Sequence, residues 1–220
     1  MQKATFDFLR DLKKNNKKQW FDANRDRYEA ARADFLEFTE ELIKELTKIE
    51  PGLKGLKAKD CMFRINRDVR FSKDKTPYKT NLGAEIKVGG RKSRRSGFFI
   101  KVGPGGQTAL AGGMHELDSK MIGKIREKIA KDAGPLRKIV EARAFVKEFG
   151  PLHGERLKTA PKGFPKDHPD LDLLQLKGFF AVREFSDKEA LGKDFLKAVV
   201  SRFKAIKPLN DYLNAAIAVK

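Results

Sequence analysis

Leu82-Gly83-Ala84-Glu85-Ile86-Lys87-Val88 alternates apolar and polar or small residues, and after a basic turn from Gly89 to Gly97 the alternation resumes in Phe98-Phe99-Ile100-Lys101-Val102. A period of two places every second side chain on one face of a strand. Two such runs joined by a glycine-bounded turn predict an antiparallel hairpin. Gly103-Pro104-Gly105-Gly106 then marks a second turn, and Thr108 to Ala111 before Gly112-Gly113 predicts a third strand. Upstream, Phe63, Ile65, Val69 and Phe71 share one parity, and Arg64, Asn66, Asp68 and Arg70 the other, which predicts a strand over 61–71 interrupted at Asn66. Lys177 to Phe185 predicts one more.

Helical spacing flanks this meander on both sides. Thr5 is placed to cap a short helix bearing Phe8, Leu9 and Leu12, and Asn15-Asn16 ends it before Trp20-Phe21. Tyr28, Ala31, Phe35, Phe38, Leu42, Leu46 and Ile49 recur every three or four residues, so they line one face of a long helix that Pro51-Gly52 ends. Further helices are predicted around Met121–Ile129 and after Pro135. The loop 150–170 is rich in Pro, Gly, Lys and Asp. Ser186-Asp187-Lys188-Glu189 reads as a capping box for a helix with Leu191, Phe195, Val199, Phe203 and Ile206 on one side, and Pro208 to Val219 as a short closing helix. Strands in the middle with helices at both ends predict an α+β fold: one domain over 1–220, with an antiparallel sheet of four to five strands covered on one face by helices from both chain ends.

The chain carries 48 Lys plus Arg against 30 Asp plus Glu, a formal net charge of +18. The excess is uneven. Residues 61–101 hold six Arg and six Lys against only Asp68, Asp74 and Glu85, which is half of the whole excess. Such a field acts over about a Debye length, roughly 8 to 10 Å, and favours phosphates, nucleic acids or acidic partners, unless its charges only solubilise a surface. The single Cys61 excludes a disulfide within the chain. No apolar run reaches signal-peptide or membrane-span length, so a cytoplasmic protein without a membrane partner is expected. Oligomeric state is not legible.

Chemical motifs are sparse. His115, His153 and His168 lack a second ligand at metal spacing, so no metal is expected. Cys61 beside Met62 and Phe63 reads as buried rather than reactive. Gly103 to Gly106 lacks the spacing of a nucleotide-binding loop, and no cofactor is expected. No catalytic set is legible. What remains is the basic run. Arg64, Arg67, Arg70, Lys73, Lys75, Tyr78, Lys79 and Thr80 supply forked and point-charge donors suited to a phosphate- or carboxylate-bearing small ligand. The alternative is an internal network in which Arg64 or Arg67 pairs with Asp68, Asp74 or a helix acid. A second functional reading is non-specific nucleic-acid or polyanion binding through the hairpin tip, Arg91, Lys92, Arg94 and Arg95, assisted by the 64–79 cluster.

The run from Phe63 to Thr80 resembles the central motif of the bacterial and fungal family known as domain of unknown function 2461. Asn15-Asn16 with Trp20-Phe21, Gly103-Pro104-Gly105-Gly106 with Ala111-Gly112-Gly113, Pro161-Lys162-Gly163-Phe164 with Asp167-His168-Pro169, and Pro208-Leu209 with Leu213-Asn214 follow in that family's order. Met114-His115-Glu116-Leu117-Asp118 departs from it where aromatic and Pro-Glu residues are usual. The resemblance implies a fold and a set of positions, and no activity.

Overall fold

Period-two alternation becomes strand wherever one face can be buried, and the middle of the chain shows this clearly. In a computed structural model describing residues 1–218, β1 (Leu82–Ile86), β2 (Gly97–Val102), β3 (Thr108–Met114) and β4 (Phe179–Phe185) form one antiparallel sheet in the order β1-β2-β3-β4. Along β2, Phe98, Ile100 and Val102 are buried, whereas Phe99 and Lys101 are only half-buried, so the sheet has a covered and an open face. The fold is α+β, with helices at both chain ends.

The predicted strand over 61–71 does not form. Ala58–Cys61 is a one-turn helix, and beyond it only isolated bridges occur, Met62 to Ala84 and Asn66 to Tyr78. Burial explains the difference. Ile65 is buried, Val69 half-buried and Phe71 94% exposed, so the apolar parity loses its core contact along the segment and nothing holds it extended.

Residue contacts divide the chain into two compact units. The first comprises 1–93, 99–110 and 184–201. It contains α1 (Lys3–Lys14), α2 (Lys18–Ala23) and α3 (Arg25–Thr47). The expected stripe on α3 is the core of this unit: Ala31, Phe35, Leu42 and Leu46 are buried, and α3 packs against α1 and β1. Thr5 is not a cap. It lies inside α1, where its hydroxyl donates to Asp34 Oδ2 at 2.5 Å, because the helix begins two residues earlier. The capping box does form: Ser186 Oγ accepts from Glu189 N at 3.2 Å while Glu189 Oε2 accepts from Ser186 N at 2.8 Å. It caps only α9 (Asp187–Ala190), and a break follows before α10 (Phe195–Ile217).

The second unit comprises 94–98, 111–183 and the chain from 202 onward. Here α5 (Ser119–Lys131) and α6 (Gly134–Val140) match the expected spacing, and α7 (Arg143–Phe149) and α8 (Leu171–Leu174) add to them. Pro208 does not open a closing helix; it sits inside α10, where its missing N–H leaves the carbonyl four residues back without the usual helical donor. Apolar Leu209, Tyr212 and Leu213 continue the buried face through the proline, which is why the helix persists. Val219, the expected end of that helix, lies outside the described residues. Gly113, at φ 111°, lets β3 and β4 approach: a Cβ there would stand 2.2 Å from the Phe179 carbonyl oxygen. The freed Gly113 N–H donates to Asn210 Oδ1 at 2.8 Å, and Asn210 Nδ2 donates to the Gly97 carbonyl at 2.9 Å.

Candidate functional site

The segment that failed to become a strand walls a cleft instead. Arg67 N donates to the Pro77 carbonyl at 2.8 Å and Lys79 N to the Ile65 carbonyl at 2.8 Å, pinning the two arms of a finger whose loop spans 68–76. Asn16, just past the end of α1, braces the return arm. Its carboxamide accepts from Tyr78 N at 3.0 Å and donates to Tyr78 O at 2.9 Å, imitating a strand partner. The buried Tyr78 ring stacks on Phe21 of α2, with centroids 4.1 Å apart and planes 14° from parallel. The apolar anchor thus sets where the polar groups stand.

Between α1 and this finger lies a cleft of about 390 Å³. Arg67, Tyr78, Lys79 and Thr80 line it, four of the eight residues expected at a small-anion site. Lys13, Asn16, Asp74, Thr76 and Asn81 complete it. Arg64, Arg70, Lys73 and Lys75 lie outside. Arg70 grips Asp68 through Nε at 3.0 Å and a terminal nitrogen at 2.7 Å, Lys75 Nζ donates to the Val69 carbonyl at 2.9 Å, and Lys73 projects from the finger, exposed. The parity of an extended strand puts Arg64 and Arg70 on one face, and no such strand forms to align them.

Arg67 is the centre of a local network. One terminal nitrogen pairs with Asp74 Oδ2 and donates to Thr76 Oγ1 at 2.5 Å; the other lies 3.4 Å from Ser72 Oγ. Asp74 also accepts from the Thr76 N–H at 2.9 Å and hydroxyl at 2.8 Å. The Arg67 guanidinium first, then these Thr76 donors, hold its carboxyl at about 2. Asp74 is therefore a fixed anion at neutral pH and has no proton to give. Lys79 Nζ donates to the Arg64 carbonyl at 2.9 Å; partial burial, and then the nearby Arg64 and Arg91 charges, lower its pKa. The cleft holds three cations, Lys13, Arg67 and Lys79, against the single carboxylate of Asp74.

At the hairpin tip Arg91 and Arg94 each have a partner of their own. Arg91 Nε donates to the Asp60 carbonyl at 3.0 Å, and Arg94 pairs with Asp118 at 2.8 Å. Lys92 and Arg95 are exposed. Cys61 is buried and its thiol is pushed up to about 11 by that burial, away from the thiolate form. His168 accepts from Asp170 N at 3.0 Å, as a turn residue does. Among the described residues no group of three or more His, Cys, Asp or Glu is arranged to hold a metal ion, and no helix is long and apolar enough to cross a membrane.

The pattern of the family described as Conserved hypothetical protein (DUF2461) matches residues 4–212 of the 220. The chain belongs to that family. Comparison with curated proteins and with solved structures found no match for this DUF2461 protein. Several residues that carried the resemblance have structural duties here. Asn16 braces the finger, Gly105 and Gly106 direct their N–H groups at the Asp187 carboxylate at 3.0 and 3.1 Å, and Asn214 accepts from Ser96 N at 2.7 Å. Lys13, Asn16, Asp74, Thr76 and Asn81 were missed as cleft residues. Asp74 and Thr76 stand within the quoted motif, whereas nothing in the sequence connects Lys13 to residues more than 50 positions away.

Proposed function

We propose that this DUF2461 protein binds a small phosphate- or carboxylate-bearing ligand in the cleft between α1 and the 67–77 finger. The observation that carries the reading is the charge inventory of the cleft: three cations face one carboxylate, and Asn16, Thr76, Thr80 and Asn81 add neutral donors and acceptors around them. A closed internal network would balance its charge. Here Asp74 engages one arm of Arg67, while among the described residues no carboxylate stands within ion-pair distance of Lys13 or Lys79. An incoming anion supplies the missing charge, and the planar fork of Arg67 fixes its orientation. The role is binding; the ionised Asp74 is no general acid, and its part is to hold the guanidinium in place. We take the protein to act in the cytoplasm, a placement that its one buried, unpaired cysteine supports.

Titration calorimetry with inorganic phosphate at low ionic strength tests this. Wild type should bind, Lys13→Gln should bind more weakly, and Asp74→Asn should bind roughly fivefold more tightly, the scale of one charge a few ångström away in a watery setting. Absence of binding, or an Asp74→Asn isotherm identical to wild type, overturns the reading.

A further inference from the structure

The first unit has a second unbalanced cationic feature, on the open face of its strands. Phe63 and Phe99 meet edge to face with centroids 6.1 Å apart, and both flank Gly83, each with a ring carbon 3.7 Å from where a glycine Cβ would stand. Neither ring belongs to the core: both are half-buried, on the face opposite Phe98, Ile100 and Val102. Cations gather on this pair. Lys79 Nζ lies 5.5 Å and the Arg91 guanidinium carbon 5.1 Å from the Phe63 centroid. Arg64 is adjacent in sequence and offers its carbonyl to Lys79. The donor contacts of Lys79 and Arg91 go to carbonyl oxygens, and among the described residues no carboxylate stands within ion-pair distance of the three cations, Asp68 feeling the Arg64 charge only from farther away. Their mutual repulsion registers in the lowered pKa of Lys79, to which Arg64 and Arg91 both contribute after burial. Glu85, two residues from Gly83 on β1, pairs with Lys87 at 2.9 Å.

We propose that this face binds single-stranded nucleic acid, with phosphates on Arg64, Lys79 and Arg91 and bases against Phe63 and Phe99. The chemistry selects this occupant. Aromatic rings beside uncompensated cations match a strand that presents a planar base next to each phosphate, whereas a duplex hides its base faces and offers phosphates alone. A lipid surface needs side chains that can insert, and these rings are half-covered by their own sheet. The site is also distinct from the cleft reading, since only Lys79 belongs to both and the tests leave it untouched.

The experiment is fluorescence anisotropy of a short labelled oligo(dT) across a salt series. Binding is expected, with log K falling by about 2 per decade of salt, the value for three phosphate contacts on a single strand. Arg64→Gln and Arg91→Gln should each flatten that slope by about 0.7. Phe99→Leu should weaken binding roughly tenfold at an unchanged slope, because stacking is lost and no charge is. Arg94→Ala, whose parent side chain is tied to Asp118, should change neither. Each variant is checked by its melting curve. If Phe99→Leu does not fold, the two slope changes at exposed Arg64 and Arg91 still decide. No binding at low salt overturns the proposal. So does inorganic polyphosphate competing as well as oligo(dT) at equal charge, which would mean that bases contribute nothing. Calorimetry with phosphate on Arg91→Gln, which is outside the cleft, separates this outcome from failure of the cleft reading.

Discussion

Arg137 in the second unit and Arg67 in the first are about equally exposed, at 29% and 25% of their side chains, and their surroundings are opposite. Arg137 is saturated: Asp170 at 2.7 Å, Asp172 at 2.7 Å and Glu141 at 2.8 Å take three of its nitrogens. Those carboxylates raise its pKa further, so that it is a permanent cation with more negative charge around it than it carries. Arg67 meets one carboxylate and otherwise hydroxyl groups, in a cleft where two lysines add to its charge. A structural arginine is surrounded until its charge is spent. In the binding role proposed for Arg67, the few partners fix the plane of the guanidinium and the remaining field is left for a ligand.

The largest effect that tests this contrast should come from removing the saturated arginine. Arg137→Met leaves Asp170, whose side chain is 20% exposed, without its cation, while Asp172 and Glu141 are more than half exposed and return to solvent at little cost. We expect a loss of about 2 kcal/mol, mostly the penalty of the stranded Asp170, read by urea unfolding. Phosphate affinity should not change. A stable Arg137→Met protein would mean that saturation does not distinguish structural from binding arginines, and the contrast with Arg67 would lose its meaning.

Legibility in the sequence followed burial. The β1 to β3 meander and the α3 stripe were readable because each has one face in the core, so apolar period and structure coincide at Ile86, Phe98, Ile100, Phe35 and Leu42. The run from 61 to 71 has the same alternation and no core to bury it against after Ile65, and period alone does not reveal that the exposed Phe71 ends in solvent. The break after α9 was likewise hidden. Leu191 is half-buried and Phe195 buried, at helical spacing, whether or not the helix between them is continuous. The site divides in the same manner. That Arg67, Tyr78, Lys79 and Thr80 line the cleft was legible only as a concentration of donors in the motif; which donors converge depends on a loop path pinned by Asn16, and a long-range carboxamide contact leaves no periodic trace.

A smaller effect, on binding alone, should follow Arg67→Lys. The charge is kept and the fork is lost, so an ammonium can reach Asp74 or the ligand but cannot hold Thr76, Asp74 and an anion in one plane. Phosphate affinity should fall about tenfold with the melting temperature nearly unchanged, the inverse of Arg137→Met. If Arg67→Lys instead melts early and binds phosphate as wild type does, Arg67 belongs with Arg137 as a structural residue, and the cleft's cations of interest reduce to Lys13 and Lys79.

The smallest and most local effect is the titration of Asp74. Its folded pKa, about 2, lies below the ordinary 3.8, so pairing stabilises the fold while Asp74 is ionised. That contribution is complete above about pH 4 and is lost as pH falls through 2, since below both values the folded and unfolded states carry the same proton. Other carboxylates with lowered values, among them Asp68 beside Arg70, lose stability in the same acid range, so the wild-type curve alone cannot isolate Asp74. The difference between wild type and Asp74→Asn can: it should be constant from neutral pH to about 4 and shrink toward zero near 2. Carboxyl NMR gives the site directly, with a midpoint near 2 in wild type that moves up toward 3.8 in Arg67→Gln, stopping short because the Thr76 donors remain. A midpoint that does not move in Arg67→Gln would mean that the guanidinium is not on Asp74 in solution. Arg67 would then be wholly available to a ligand, and the contrast with the saturated Arg137 would be sharper than the geometry draws it.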